Sequence, residues 1–276
     1  MRKSGVIAHI SSLPSNNVCG TFGKEAYDFI DILKKCGFSY WQVLPFGITD
    51  KHGSPYLSCS SVGGNIDFID LVQLYEEGLI TKDELLSSKK ITRYFYPCPK
   101  NRLTKLTVLK KASERIKNKN EIIDYVRSVE GLNDFCIFLS SNIGDLFAHQ
   151  YSQYLFHKQW QSLKQYANDK GIKVIGDIPF YVSPNSLDVK THPYNFSVTP
   201  KGQIIEKAGV PPDYFSPTGQ DWNCPVYNWH NMETDGFSWW KNRLAYNFSL
   251  FDCVRIDHFR AIAAYWSIPY NAPNAA

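Results

Sequence analysis

Residues 254–260 read Val-Arg-Ile-Asp-His-Phe-Arg, and apolar residues alternate with charged ones over the first four positions. This two-residue period is typical of a β-strand. Arg255 and Asp257 are two positions apart, so both side chains should project from the same strand face. An arginine beside an aspartate favours the ionised carboxylate. A positioned, ionised carboxylate at a strand end is a candidate nucleophile for glycoside chemistry.

Three earlier segments also have strand character, and predicted helices separate them. The predicted strands cover 5–10, 40–44, 173–182 and 253–258, and the main predicted helices cover 24–36, 100–130, 145–168 and 237–251. Parallel strands need crossover connections, so this order predicts an α/β fold with a parallel sheet. A Thr81–Glu84 capping box predicts one further short helix.

Candidate functional segments follow the predicted strand ends. They are the turn at 11–14, the polar loop at 45–65, Asp177, the long loop at 183–230 and Asp257. In barrels of parallel strands, functional residues lie at the carboxyl ends of strands and in the loops that follow. We therefore expect these segments to meet on one face of the fold.

Composition places the chain among ordinary globular proteins. It has 276 residues, of which 43% are hydrophobic and 20% charged, with a net charge of +4. The densest basic stretch, 105–119, is most simply a solvated helix face, and no nucleic-acid-binding module accompanies it, so we predict no nucleic-acid partner. The aromatic share of 15% suits both a packed core and carbohydrate binding.

The cysteines and the hydropathy pattern favour a cytoplasmic protein. Seven scattered cysteines without a C-x-x-C pair argue against a disulfide framework and against a zinc site. The first ten residues contain an apolar run too short for a signal peptide, and no apolar stretch approaches the length of a membrane span. We predict no membrane partner.

Several motifs, taken in order, closely resemble the 4-α-glucanotransferases (amylomaltases or disproportionating enzymes, glycoside hydrolase family 77). The motifs are Ser11-Ser12-Leu13-Pro14, Gly20-Thr21-Phe22-Gly23, Trp41-Gln42-Val43-Leu44-Pro45, Gly53-Ser54-Pro55-Tyr56 with Ser58, Gly176-Asp177-Ile178-Pro179, Ala208-Gly209-Val210-Pro211-Pro212-Asp213-Tyr214-Phe215-Ser216, Thr218-Gly219-Gln220 with Trp222, and Arg255-Ile256-Asp257-His258-Phe259-Arg260. Each motif alone is modest, but together they cover nearly the whole chain.

The resemblance implies an α/β TIM-type (β/α)8 barrel with inserted helical subdomains, here a partial barrel of about the first four strands. It implies that 1–276 is the N-terminal part of one catalytic domain. A helical insertion is expected at about 75–140 and a substrate-loop insertion at about 183–230.

The resemblance also implies roles for individual residues. Asp257 matches the nucleophile, and Arg255 matches the arginine that orients and ionises it. The matching substrate-binding positions are Ser54, Tyr56, Asp177, Asp213 and Trp222, and we add His258 as a candidate. The implied reaction transfers α-1,4-glucan segments between maltooligosaccharides by a retaining double displacement, without metal or cofactor.

Three segments depart from the family pattern. Asn223-Cys224 replaces the usual Gly-Asn before Pro225, and Ile66-Asp67 replaces a proline-containing turn after Asn65. Residues 93–100 also differ. These changes concern the geometry of the acceptor loop more than the chemistry.

The family's general acid/base glutamate would follow the next barrel strand, beyond Ala276. We therefore expect residues 1–276 alone to be inactive, since retention needs two carboxyl groups. Strands at both edges of a half-barrel would also be open, which predicts self-association. A non-catalytic glucan-binding module is the alternative. An unrelated barrel lyase or aldolase would need a strand-end lysine or a metal cluster, and the sequence suggests neither.

Simpler interpretations remain for single residues. Asp257 could be a structural partner of Arg255, Asp177 could cap the turn at Pro179, and Trp222 could be a buried anchor. Strand alternation would turn His258 away from Asp257, which favours a packed supporting histidine over a proton shuttle. The same argument makes His9, on the first strand, a core residue.

Overall fold

The computed structural model describes residues 2–15, 17–88 and 98–276, with the side chains of 98–101 excepted. In chain order the strands are β1 (Gly5–Ile7), β2 (Tyr40–Gln42), β3 (Lys173–Ile178), β4 (Glu206–Val210), β5 (Gln220–Pro225), β6 (Cys253–Ile256) and β7 (Trp266–Pro269). The helices are α1 (Lys24–Lys35), α2 (Leu71–Glu76), α3 (Lys82–Ser87), α4 (Cys98–Glu114), α5 (Asn120–Ser128), α6 (Leu132–Ser140), α7 (Leu146–Asp169), α8 (Leu187–Thr191), α9 (Trp229–Thr234) and α10 (Ser238–Leu250).

The main sheet is parallel and follows the order β1-β2-β3-β6. Each strand pairs with the next parallel strand along the chain, as neighbouring strands of a (β/α)8 barrel do. The predicted parallel sheet is therefore confirmed, and β1 and β6 form its described edges. Within it, Asp177 of β3 lies in register with Arg255 of β6, so both side chains face the same side.

The strands are shorter than the hydrophobic pattern predicts. The first ends at Ile7 because Ile10–Ser12 turn into a short 3₁₀ helix, and β6 ends at Ile256 because His258 is left-handed with φ 48°. Strand alternation therefore does not extend to His258.

Aromatic residues fill the core between the main sheet and its helices. Trp41 of β2 and Trp160 of α7 are fully buried, with ring centroids 6.5 Å apart. On β3, Gly176 leaves room for Phe251, since a β-carbon there would lie 2.1 Å from the phenyl ring. This close approach lets α10 and β6 pack directly on β3.

Among the described residues, six α-helices, α2 to α7, lie between β2 and β3 in sequence, and α4, α5 and α6 pack against α7. The predicted capping box is confirmed: Thr81 Oγ1 accepts from the Glu84 amide at 3.2 Å, and Glu84 accepts from the Thr81 amide at 2.8 Å. Segment 93–100, one of the departures from the family, lies outside the described residues except for the helical backbone from 98.

The Ile66-Asp67 departure forms a tight 3₁₀ turn that Asn65 caps through the Asp67 amide. The Asp67 carboxylate is buried and pairs with Arg102 of α4, whose Nε and Nη2 lie 3.1 and 3.0 Å away. This ion pair attaches α4 to the 3₁₀ turn at Ile66–Phe68.

The segment predicted as a long loop at 183–230 is more ordered than expected. It contains α8, β4 and β5, and β4 pairs antiparallel with both β5 and β7. The prediction failed because β4 finds β7 some sixty residues later, and such pairing leaves no local period. In the described ranges, no helix is both long and apolar enough to cross a membrane.

Candidate active site

Arg255 joins two carboxylates at the carboxyl ends of β3 and β6. Its Nη1 lies 2.7 and 2.8 Å from the two carboxylate oxygens of Asp177, and its Nη2 lies 2.6 Å from Asp257 Oδ1. The two-residue spacing in β6 therefore does place Arg255 and Asp257 side by side. Charge-assisted hydrogen bonds of this length fix the orientation of both carboxylates.

Asp177 is the buried member of this group, with a side chain only 1% exposed. Burial raises the pKa of Asp177, and the hydrogen bonds from Tyr56 and Arg255 oppose that rise. Partial burial lowers the pKa of Arg255, but its hydrogen bonds and charge interactions with Asp177 and Asp257 raise it overall. The guanidinium therefore stays charged between them.

The loop after β2 supplies a further partner. Tyr56 Oη donates to Asp177 Oδ2 at 2.7 Å, and burial together with this bond raises the pKa of Tyr56 to about 12. Ser54 supports the loop, since its Oγ accepts from the Tyr56 amide at 3.3 Å, while Asp50 Oδ1 accepts from the Ser54 amide. Ser54 thus positions the tyrosine.

Asp257 opens into a cavity of about 410 Å³ that Tyr56, Tyr181, Trp222 and His258 also line. Its volume falls in the usual range for small-ligand sites. The Asp257 side chain is 38% exposed, whereas Asp177 is buried, so Asp257 is the carboxylate that a ligand can reach.

His258 faces the same cavity as Asp257, contrary to the direction predicted from strand alternation. The strand has ended at Ile256, and the left-handed backbone of His258 turns its ring towards Trp222. The two ring centroids are 4.9 Å apart in an edge-to-face arrangement. His258 therefore lines the cavity and is only half-buried, so it is not a packed core residue.

Asp213 lies elsewhere. Its Oδ1 accepts from the amides of Phe215 and Ser216 at 2.9 and 2.8 Å, so it closes an exposed turn of its own. Neither Asp213 nor Ser54 lines the cavity at Asp257. The described structure brings together Tyr56, Asp177, Trp222, Arg255, Asp257 and His258 of the sequence-predicted set.

Two further residues at the cavity were not singled out from the sequence. Tyr181 packs on Tyr227 with ring planes 16° apart, and its buried hydroxyl has no hydrogen-bond partner among the described residues. Asp221 lines the cavity while paired with Lys207 of β4. Tyr181 lies three residues after the end of β3, and this position in the sequence could have identified it as a candidate site residue.

The departure at Asn223 has a structural explanation. Asn223 has φ 53°, the left-handed region that glycine occupies without strain and that asparagine tolerates better than most residues. It stands where the family usually has glycine. Trp222 and Cys224, on either side of it, both line the cavity at Asp257.

Known proteins of one family resemble this chain over nearly its whole length. The family model described as 4-alpha-glucanotransferase matches residues 8–144 and 139–276. The 4-alpha-glucanotransferase of Aquifex aeolicus is 36% identical over all of this chain, which spans 63% of that protein. That of Thermus thermophilus is 36% identical over 99% of this chain and 61% of its own length.

The solved amylomaltase of Streptococcus agalactiae, in complex with acarbose, is 34% identical with a TM-score of 0.92, over all of this chain and 63% of that one. The amylomaltase of Corynebacterium glutamicum has a TM-score of 0.83 at 19% identity, over 99% of this chain and 43% of that one, which is a likeness of fold. The four parallel strands with their helices therefore form part of a TIM-type barrel. With the family model matching almost from end to end, the chain belongs to the 4-α-glucanotransferases of glycoside hydrolase family 77.

Proposed function

We propose that Asp257 is the nucleophile of a retaining 4-α-glucanotransferase that moves α-1,4-glucan segments between maltooligosaccharides. The observation that carries this proposal is Arg255, which holds the reachable carboxylate of Asp257 and the buried carboxylate of Asp177 in one rigid group. A fixed, ionised and accessible carboxylate is what covalent glycosyl transfer requires.

The reaction proceeds in two displacements. An Asp257 oxygen bonds to the anomeric carbon as the glycosidic C–O bond breaks, and a carboxylic acid protonates the departing sugar oxygen. The 4-hydroxyl of an acceptor glucan then attacks the same carbon, gives its proton to that carboxylate and releases Asp257. Two inversions give net retention.

Within the described part of the chain, two other carboxylates lie near Asp257, and both already have partners. Asp177 receives Arg255 and Tyr56, and Asp221 is paired with Lys207. We assign the general acid/base to neither, and we propose that residues 1–276 alone do not complete the transfer.

The remaining site residues bind and position the substrate in this proposal. Trp222 and His258 present ring surfaces to the apolar faces of glucose units. Asp177 holds Arg255 in position, and Tyr56 in turn holds Asp177. The loop that carries Asp213 would cover the acceptor side and keep out water, which competes with sugar in the second displacement. In the same proposal 75–140 is a helical insertion in the barrel, and 183–230 is the substrate-loop insertion.

We also propose that the protein acts in the cytoplasm, because its seven cysteines are scattered along the sequence without the spacing of a disulfide framework. Cell fractionation with an antibody to the chain tests this location. Recovery in the periplasmic or secreted fraction would contradict it.

A transfer assay tests the reaction. We would express residues 1–276 beside the product of the complete reading frame, supply maltotriose and watch for glucose and longer oligosaccharides. The proposal predicts a product ladder from the complete product, none from its Asp257→Asn variant, and a normal ladder from the exposed control Asp83→Asn. Glucan binding without turnover by the complete product would contradict the proposal.

A further inference from the structure

A second large cavity, of about 700 Å³, lies beside the antiparallel sheet and does not include Asp257. Amide side chains dominate its polar lining: Asn185, Gln203, Asn223 and Asn271. Tyr270 and Ile205 provide the apolar lining and are 52% and 50% exposed. This combination differs from the carboxylate-bearing cavity at Asp257. We call it the amide groove.

The four residues that carry these amide side chains are exposed to solvent. Within the described ranges, none of them has a hydrogen-bond partner in the chain, although each carries a carbonyl acceptor and two N–H donors. Groups that both donate and accept match neighbouring sugar hydroxyls, which also do both. Among the residues that the structure describes, no charged one lines the groove, so a neutral ligand suits it better than an ion.

The walls of the groove are held in place. A tight turn at 199–203 is closed by the Thr199 amide on the Gln203 carbonyl at 2.7 Å and by the Gln203 amide on Thr199 Oγ1 at 3.1 Å. The Tyr270 amide donates to the Ile205 carbonyl at 3.0 Å, which extends the pairing of β7 with β4. A ligand would therefore meet a preformed surface.

Strand β5 separates this groove from the cavity at Asp257. Trp222 and Cys224 line the cavity at Asp257, whereas Asn223, between them, lines the amide groove. Lys207 connects the two, because its Nζ lies 5.6 Å from the centre of the Tyr270 ring and also pairs with Asp221 of the first cavity. Ligand contact with Tyr270 would thus reach a residue pair at the first cavity.

We propose that the amide groove is a second carbohydrate-binding site, which takes a short segment of neutral glucan with one sugar ring against Tyr270. The choice of α-1,4-glucan as the sugar rests on the proposed function. The choice of a neutral polyhydroxylated ligand rests on the groove itself: four unpartnered amides, an exposed aromatic ring and no lining charge.

Affinity electrophoresis of residues 1–276 in gels that contain soluble amylose tests the site. A Trp222→Leu background weakens the cavity at Asp257, so that retardation reports the groove. We expect this variant to be retarded still, and we expect Tyr270→Ala with Asn271→Ala in the same background to raise the dissociation constant at least about tenfold. Lys201→Ala, an exposed change in the adjacent turn, should leave it unchanged.

Thermal melts establish that each variant folds. If the Tyr270–Asn271 pair does not, Asn185→Ala with Gln203→Ala gives the same readout from the opposite wall. No retardation of the Trp222→Leu chain, or equal retardation with the groove changed, would overturn the proposal. The transfer assay tests the proposed function separately. If that function is wrong, the Asp257→Asn variant will still transfer glucan from maltotriose, whatever the result of the electrophoresis.

Discussion

Arg255 reaches back to Asp177, 78 residues earlier in the chain, and makes contacts of 2.7 and 2.8 Å to its two carboxylate oxygens. The parallel register of β3 with β6 places the two residues opposite each other. The other end of the guanidinium holds Asp257. One arginine thus joins a buried anchor to an accessible carboxylate.

Arg255→Lys should lower transfer by the complete protein about 100-fold, since a lysine cannot span two carboxylates and small misplacements of a reacting group are costly. Initial rates of maltotriose conversion measure this, and Arg127→Lys on the exposed side of α5 is the matched control. A rate close to that control would mean that Arg255 does not position Asp257.

Tyr56→Phe should raise the pKa of Asp177 further. Burial already raises the pKa of this carboxyl, and the Tyr56 hydroxyl opposes that rise by donating to the ionised form at 2.7 Å. Carbon-13 NMR of the aspartate carboxyls follows the titration, with Asp177→Asn to assign the signal and exposed Tyr194→Phe as the control. An unchanged or lowered pKa would show that the hydroxyl does not stabilise the charge.

Asn223→Ala should destabilise the fold by about 1 kcal/mol, because alanine lacks the tolerance of asparagine for a left-handed backbone. Asn223→Gly should change stability little, since easier backbone geometry offsets greater freedom of the unfolded chain. Urea unfolding of both variants compares them directly. Equal stability of the two variants would show that the left-handed backbone at residue 223 does not affect the free energy of unfolding.

Two buried histidines predict a loss of stability in acid. Burial lowers the pKa of His9 and of His157 to about 4. Each histidine has a lower pKa in the folded state than in the unfolded state, where it is near 6.5. The folded state therefore keeps its full stability above pH 6.5 and loses stability as the pH falls from 6.5 towards 4. Each shift corresponds to about 3 kcal/mol when complete.

His9 Nδ1 accepts from the Leu44 amide at 3.2 Å, so His9→Asn can keep an acceptor there without titrating. Its free energy of unfolding should fall less between pH 6.5 and 4 than that of the native chain. Exposed His230→Gln serves as the control. Parallel pH profiles for the His9 variant and the native chain would contradict the assignment.

Much of the fold was predictable because its signals are local. The Thr81–Glu84 box, the α7 helix and the alternation in β6 each depend on residues a few positions apart. The pairing of β4 with β7 and the φ of His258 depend on tertiary structure, so the sequence predicted a loop for the first and the wrong direction for the second. The Arg255–Asp257 pair followed from spacing, whereas the Asp177 contact needed the strand register.

The position of Asp213 shows the same limit. The family resemblance suggests a role in ligand binding, but the described turn satisfies its carboxylate with backbone amides of its own. A motif identifies the residue type, whereas only the loop conformation determines what the residue contacts.

Covalent trapping tests the central claim, that Asp257 is the nucleophile. A maltosyl fluoride with a second fluorine on the reacting ring needs no general acid, because fluoride leaves unprotonated as the Asp257 oxygen bonds to the anomeric carbon. Mass spectrometry of residues 1–276 after this treatment should locate a glycosyl adduct on Asp257, with none in Asp257→Asn and the same adduct in Asp83→Asn. An adduct on another carboxylate, or none at all, would contradict the account.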